Sequence, residues 1–352
     1  MAVHQLVPVL TVGDGVSGAA LRFRDLLRRS GYASEIYAEL IHPNLKREAR
    51  PAADLPEQAR AEDGVIYHLS MGSPLAAVFA RLSARQIVFY QNVTPPESMN
   101  GASPVFVHHL RWGRADLAVL APRTTLGLAA SEFSAKELRG AGARRVAVVQ
   151  LPLNLTRLRP RRATPSPDVL LLFVGRFAPH KRQDVLIRVL AALRATHAPR
   201  ARLVLIGSDD LPAYIRALRE FADTLGVGAT VRIETRLSDR ALGDLYAKAS
   251  VFLCASDHEG FCLPVLEAMS FSVPVVAHVA GAVAETVGDG GLLLEDRDPL
   301  VWAELAWRLA TDVAIRERFI YAGLRRLTHF SDAAISEQLV GALTSIGLRP
   351  EG

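Results

Sequence analysis

Cysteine is nearly absent from this chain: Cys254 and Cys262 are the only two in 352 residues. So few exclude a disulfide framework, and their spacing has no metal-binding pattern, which suits a reducing cytoplasm. Long apolar runs are missing as well. No stretch approaches the roughly 20 apolar residues of a membrane span. The apolar run 6–12 near the amino end is short and lacks a basic segment before it. The expectation is a protein neither secreted nor integral. Lysine is scarce, with Lys46, Lys136, Lys181 and Lys248 the only ones among 41 basic residues. Net charge is only +5, and aromatic residues are not interleaved with the arginines as base-stacking platforms require, so nucleic acid is not expected as a partner. The arginine-rich surface leaves open a peripheral contact with the anionic inner face of a membrane. Oligomeric state is not legible.

Half the residues are hydrophobic, enough for two cores in a chain of this length. Short apolar runs alternate with helical patterns. Strands are expected at 3–12, 33–38, 65–69, 86–90, 126–130 and 146–149, then at 169–174, 203–207, 230–233, 251–255 and 273–277. The fold class is α/β, with two doubly wound Rossmann-like domains. The first covers 1–156, and 157–168, rich in proline and arginine, reads as the linker. The second covers 169–328, and 329–352 holds a closing helix. Residues 41–63 read as a connecting excursion with little structure of its own.

The stretch 251–276 carries the most chemistry. It reads as strand, loop, helix and strand, with Gly260 making an unusual turn and Pro264 tolerated because a helix leaves its first amides unbonded. The amides of Gly260, Phe261, Cys262 and Leu263 then face the space above the strand's carboxyl end, which makes an anion site. Glu259 and Glu267 bracket the turn. Carboxylates are poor phosphate ligands but good acceptors for the hydroxyls of a ribose or hexose joined to that phosphate, so the implied ligand is a sugar nucleotide. The bland alternative makes Glu259 a solvated loop residue and Glu267 a surface helix residue. Upstream, Gly175-Arg176-Phe177 ends one strand and 179–184 opens a helix, placing Arg176 and Lys181 at the same level to neutralise a diphosphate.

The first half carries G-x-G-x-x-G from Gly13 through Gly15 to Gly18, after a strand and before a helix, with Glu39 further on. That is the pattern of a dinucleotide-binding turn, and an NAD-dependent oxidoreductase is the reading it supports. His108 and His109 lie on an expected helix, 104–121, about 100° apart, and do not chelate one metal together. Asp209 and Asp210 read as a helix amino-terminal cap rather than a metal pair.

The segment from Glu259 to Met269, EGFCLPVLEAM, is similar to the E-x7-E signature of the retaining glycosyltransferases of family 4, which have the GT-B fold. Gly-Arg-Phe followed by Lys-Arg-Gln-Asp resembles that family's donor-phosphate segment, and 281–285 its next donor-side loop. The resemblance implies two domains facing across a cleft, with a hexose moving from a nucleoside-diphosphate sugar to a hydroxyl acceptor of unknown identity. Configuration would be retained, and neither metal nor cofactor would be needed. It implies catalytic roles for Arg176, Lys181 and Glu259. Donor contacts would come from Gly15, Gln91, Gly175, Arg176, Lys181, Gly207, Leu237, Glu259, Gly260, Phe261, Cys262, Leu263 and Glu267, with the turn at Arg236 and Leu237 near the base. Acceptor-side candidates are Gly13, Val16, His108 and His109. Family members usually have histidine where this chain has Gln91, which removes any acid–base role there. The closing helix would return to the first domain. A non-catalytic sugar-nucleotide-binding protein is the alternative, with the oxidoreductase behind it.

Overall fold

The computed structural model describes residues 1–99, 104–164, 168–235 and 237–350. Its backbone divides into two compact units. One contains Met1–Pro96, Pro104–Asn154 and His329–Gly352, and the other contains Glu97–Ser103 and Leu155–Thr328.

The first unit holds strands β1 (Val3–Leu10), β2 (Ile36–Ile41), β3 (Arg50–Pro51), β4 (Gly64–Leu69), β5 (Arg85–Tyr90), β6 (Leu126–Ala129) and β7 (Val146–Val148). They form one parallel sheet in the order β3-β2-β1-β4-β5-β6-β7. The expected excursion at 41–63 is more structured than its composition suggests. It contributes β3, which pairs Tyr37 with Arg50 and Ala38 with Pro51, and a short helix at Leu55–Gln58.

The second unit holds β8 (Leu170–Val174), β9 (Arg202–Gly207), β10 (Val231–Thr235), β11 (Val251–Cys254), β12 (Val275–His278) and β13 (Leu292–Leu294). These pair in parallel in the order β10-β9-β8-β11-β12-β13. Strand β13 was not among the expected strands. Central β8 and β11 are apolar runs buried on both faces, as parallel strands covered by helices must be. Leu171, Phe173, Leu186, Leu190, Leu253 and Trp302 are among the residues of their common core.

In both sheets the chain first builds outward on one side of the first strand and then returns to build on the other. The reversal falls between β1 and β4 in one unit and between β8 and β11 in the other. The loops leaving the carboxyl ends of those two strands diverge there, and open α/β sheets take ligands in that crevice.

The segment read as a linker is tied to the second unit. Ala163 and Thr164 donate backbone hydrogen bonds to Phe271 and Ala247. Arg161 pairs with Asp244 and Arg162 with Glu317. Residues 165–167 lie outside the described residues. The helix Asp332–Thr344 belongs to the first unit, where Asp332 pairs with Arg22 and Arg29. Tyr32 donates to the Leu348 carbonyl in the same unit.

Candidate sugar-nucleotide site

Strands β8 and β11 are hydrogen-bonded neighbours, so the segments that follow them emerge side by side. Backbone bonding keeps them together, with the Asp257 amide donating to the His180 carbonyl at 2.7 Å. Arg297 steadies the segment after β11 by donating to the Ala255 carbonyl at 2.8 Å and pairing with Asp257. Across this seam Lys181 meets Glu259 at 2.7 Å, with side chains only 15% and 11% exposed. The Ser256 hydroxyl donates to the same Glu259 oxygen, Oε1, at 2.7 Å. Burial works against the Lys181 charge, but the Glu259 carboxylate outweighs it and holds the ammonium above its ordinary range. His180, immediately before Lys181, is driven down to about 2 by burial and by the positive charges around it, so it is neutral.

A third loop braces this arrangement. Gly281 has φ +55°, and a Cβ there would stand 2.3 Å from the Glu259 carbonyl oxygen. The Ala282 amide donates to that carbonyl, and the Thr286 hydroxyl to that of Phe261. Gly207 is also required by close approach, since a Cβ would meet the Gly175 carbonyl at 2.3 Å.

The helix Leu263–Ser270 begins from Cys262, with Pro264 in its first turn. The left-handed step of the turn falls at Cys262 (φ 77°, ψ 60°) and not at Gly260. No side chain caps this helix, and none caps the helix Gln183–Thr196 that follows Lys181. The first unit differs. Gly15 and Val16 lie inside its first helix, Gly15–Arg29, and only Gly13 (φ 80°) makes the turn. The Asp14 carboxylate accepts from the Ser17 amide at 2.8 Å and from its hydroxyl at 2.9 Å. A carboxylate thus bonds the amide at this helix start, whereas the starts of Leu263–Ser270 and Gln183–Thr196 carry no side-chain cap and suit an anion.

Glu267 is buried, as is Glu259, so neither is the solvated residue of the bland alternative. Arg157 pairs with one Glu267 oxygen and the Tyr246 hydroxyl donates to the other at 2.9 Å. Burial and then the Glu267 carboxylate push the Tyr246 phenol well above its ordinary range, which keeps it a donor. Arg157 also pairs with Asp239. Sequence reasoning missed it because it lies in the supposed linker, 110 residues from Glu267, and no local pattern marks such a pair.

The other candidates are placed as follows. Gly175 and Arg176 follow β8, Gly207 ends β9, and Leu237, half-buried, follows β10 just ahead of a helix cap at Ser238. Arg236 lies outside the described residues. Arg176 stands 3.9 Å from Asp210 at the surface. Asp209 and Asp210 do not cap the following helix, whose first-turn flank is Leu211 with no side-chain bond; Asp210 accepts from Ser208 instead. Gln91 donates to His68 Nδ1 at 2.7 Å, and His68 Nε2 bonds Gln5 Oε1 at 2.9 Å. Gln5 in turn donates to the Ala20 carbonyl. That direction fixes the His68 proton on Nε2. Burial lowers His68 to about 3, so the whole relay is neutral. His109 bonds the Gly72 carbonyl and stacks on Trp112, while His108 is exposed. No described helix is long and apolar enough to cross a membrane.

Several known proteins are similar to this chain. A curated D-inositol 3-phosphate glycosyltransferase of Stackebrandtia nassauensis is 34% identical over 191 residues, which is 52% of this chain and 43% of the relative. Another so named, from Thermobifida fusca, is 32% identical over 218 residues, covering 58% and 50%. The chain thus spans about half the length of the curated relatives it matches. Among solved structures, Anabaena HepE in complex with UDP-glucose aligns with TM-score 0.71 at 18% identity, over 98% of this chain and all of that one. Sucrose-phosphate synthase of Thermosynechococcus elongatus gives 0.75 at 17% identity, covering 99% of each. The shared fold is GT-B. Residues 156–326 match the family model described as glycosyl transferases group 1.

Proposed function

We propose that the chain is a retaining glycosyltransferase of family 4 that moves a hexose from a nucleoside-diphosphate sugar to a hydroxyl acceptor, without a metal. One observation carries this reading. At the crevice between β8 and β11, an uncapped helix start and a buried lysine stand with two buried, already oriented carboxylates.

Departure of the nucleoside diphosphate leaves charge on its phosphates, and preorganised donors stabilise such charge best. Arg176, Lys181 and the amides around Leu263 would supply it. Glu267, held by Arg157 and Tyr246, would accept from ribose hydroxyls, and Glu259 from the sugar's hydroxyls. The C–O bond to the leaving phosphate breaks as the acceptor oxygen bonds the anomeric carbon on the same face, and its proton passes to the departing phosphate oxygen. No enzyme base is then needed, which suits Gln91. Glu259 as a covalent nucleophile is disfavoured because Ser256 and Lys181 already engage its Oε1.

Gln91 also favours a second reading, a non-catalytic sugar-nucleotide-binding protein. The Asp14 cap weighs against NAD at the first glycine turn. UDP is the first nucleotide to try, since the HepE structures hold it.

Thermal-shift curves against UDP, GDP, ADP, TDP and NAD test the site, because a ligand at a hundredfold excess over its Kd stabilises the folded state by roughly 2.7 kcal/mol. A nucleoside diphosphate is expected to raise Tm in the wild type and not in Glu267→Ala or Arg176→Ala. Transfer assays then separate the enzyme from the binder, with the anomeric configuration of the product read by NMR. A response to NAD alone, lost on altering Gly15, sinks the proposal.

A further inference from the structure

The only two cysteines of the chain meet inside this site. Cys254 ends β11, Cys262 begins the helix Leu263–Ser270, and their Sγ atoms stand 3.8 Å apart. A Glu259 carboxylate oxygen and both sulfurs all lie within 4.8 Å of one another. Cys262 keeps a left-handed backbone that glycine adopts freely and other residues adopt at a cost of about 1 kcal/mol or more. Its side chain makes no cap hydrogen bond in return. What the side chain does do is bring a sulfur to Cys254.

The separation discriminates between uses of two thiols. A disulfide needs about 2.05 Å, whereas two thiolates on a tetrahedral zinc, each at about 2.3 Å, stand about 3.8 Å apart. The two sulfurs, in S–H···S contact at 3.8 Å, are too far apart for a disulfide and already at the spacing that two thiolates on one metal require. Charge closes too, since a divalent ion with two thiolates and the Glu259 carboxylate, beside the Lys181 ammonium, leaves none over.

We propose that Cys254, Cys262 and Glu259 bind one thiophilic divalent cation, of which zinc is the natural probe, with the fourth position left open. Each thiol gives its proton to solvent as its Sγ–metal bond forms, and no electron is transferred. Ser256 and Lys181 share Glu259 Oε1, so the carboxylate offers the ion its other oxygen. A corollary rests on the proposed function: an ion held by Glu259 competes with the donor sugar for it, making the metal an inhibitor.

The test is zinc titration of the reduced full chain against a chromophoric chelator, with cobalt substitution read by thiolate charge-transfer absorption. One equivalent is expected. Cys254→Ser and Cys262→Gly should each weaken binding by more than about a hundredfold and abolish the cobalt band, and Glu259→Gln should weaken it about tenfold or more while keeping the band. Cys262→Gly suits its backbone, and circular dichroism verifies that it folds. No uptake at micromolar zinc, uptake that survives either cysteine change, or an isolated protein whose two thiols are already joined would overturn the proposal. If no nucleotide shifts the melting curve, the glycosyltransferase reading fails while the zinc titration still decides this one.

Discussion

Lys181 and Glu259 are each other's counter-charge, and neither has enough water to stand alone. Truncating one member of a buried pair strands the other and costs roughly 3–5 kcal/mol, whereas replacing both costs much less. Lys181→Met is therefore expected to destabilise the second unit by an amount in that range, and Lys181→Met/Glu259→Gln to recover a large part of it. Urea midpoints of the two singles and the double measure this. A loss in the double equal to the sum of the two single losses would mean that the contact between the two side chains adds no stability. Arg157 and Glu267 form the parallel case at the other carboxylate, with Tyr246 as the added donor.

At the scale of elements, three loops following adjacent strands of one sheet hold the carboxylate in place. The loop after β12 has the simplest test. Gly281 lies at φ +55° against the Glu259 carbonyl, so Gly281→Ala meets both backbone strain and a clash, together worth about 1–3 kcal/mol. The expected outcome is a lower Tm and a weakened nucleotide response in the same variant. A variant with a full nucleotide response would show that the loop does not position Glu259. The helix starts differ in the same physical terms. Asp14 closes the one in the first unit with a carboxylate, while the Leu263–Ser270 start has no side-chain cap.

For the molecule as a whole, each unit buries a neutral histidine, His68 in the first and His180 in the second. Burial lowers His68 to about 3, and burial with neighbouring positive charge lowers His180 to about 2. Below the ordinary histidine value of about 6.5 the unfolded chain takes up protons that the folded chain refuses, so stability falls as pH falls and is complete above that value. The slope is about 1.4 kcal/mol per pH unit for each histidine. Each unit should lose roughly 2 kcal/mol between pH 6.5 and 5. Trp112 reports on the first unit and Trp302 with Trp307 on the second, so fluorescence-monitored denaturation of Trp112→Phe isolates the second. A midpoint flat across that range would show that His180 is protonated in the folded state.

The sequence by itself determined the alternation of strands and helices, because apolar runs such as 170–174 and 251–254 have one stable place, inside a parallel sheet covered on both faces. It also determined that a charged turn follows β8 and a two-glutamate turn follows β11, since glycine, proline and charge are local signals. Strand edges shifted by up to three residues, as at β2, and β13 was too short and too ordinary to stand out. Tertiary structure decided what local pattern does not encode. Pairing across the sheet put Lys181 on Glu259 and Arg157 on Glu267, and it made the apparent linker part of the second unit. Asp14, a turn residue in sequence, became a cap that closes the first glycine turn. Two cysteines eight positions apart became a contact. Such partners depend on which strands lie side by side, and that is settled by the burial of whole sheets rather than by any short stretch of chain.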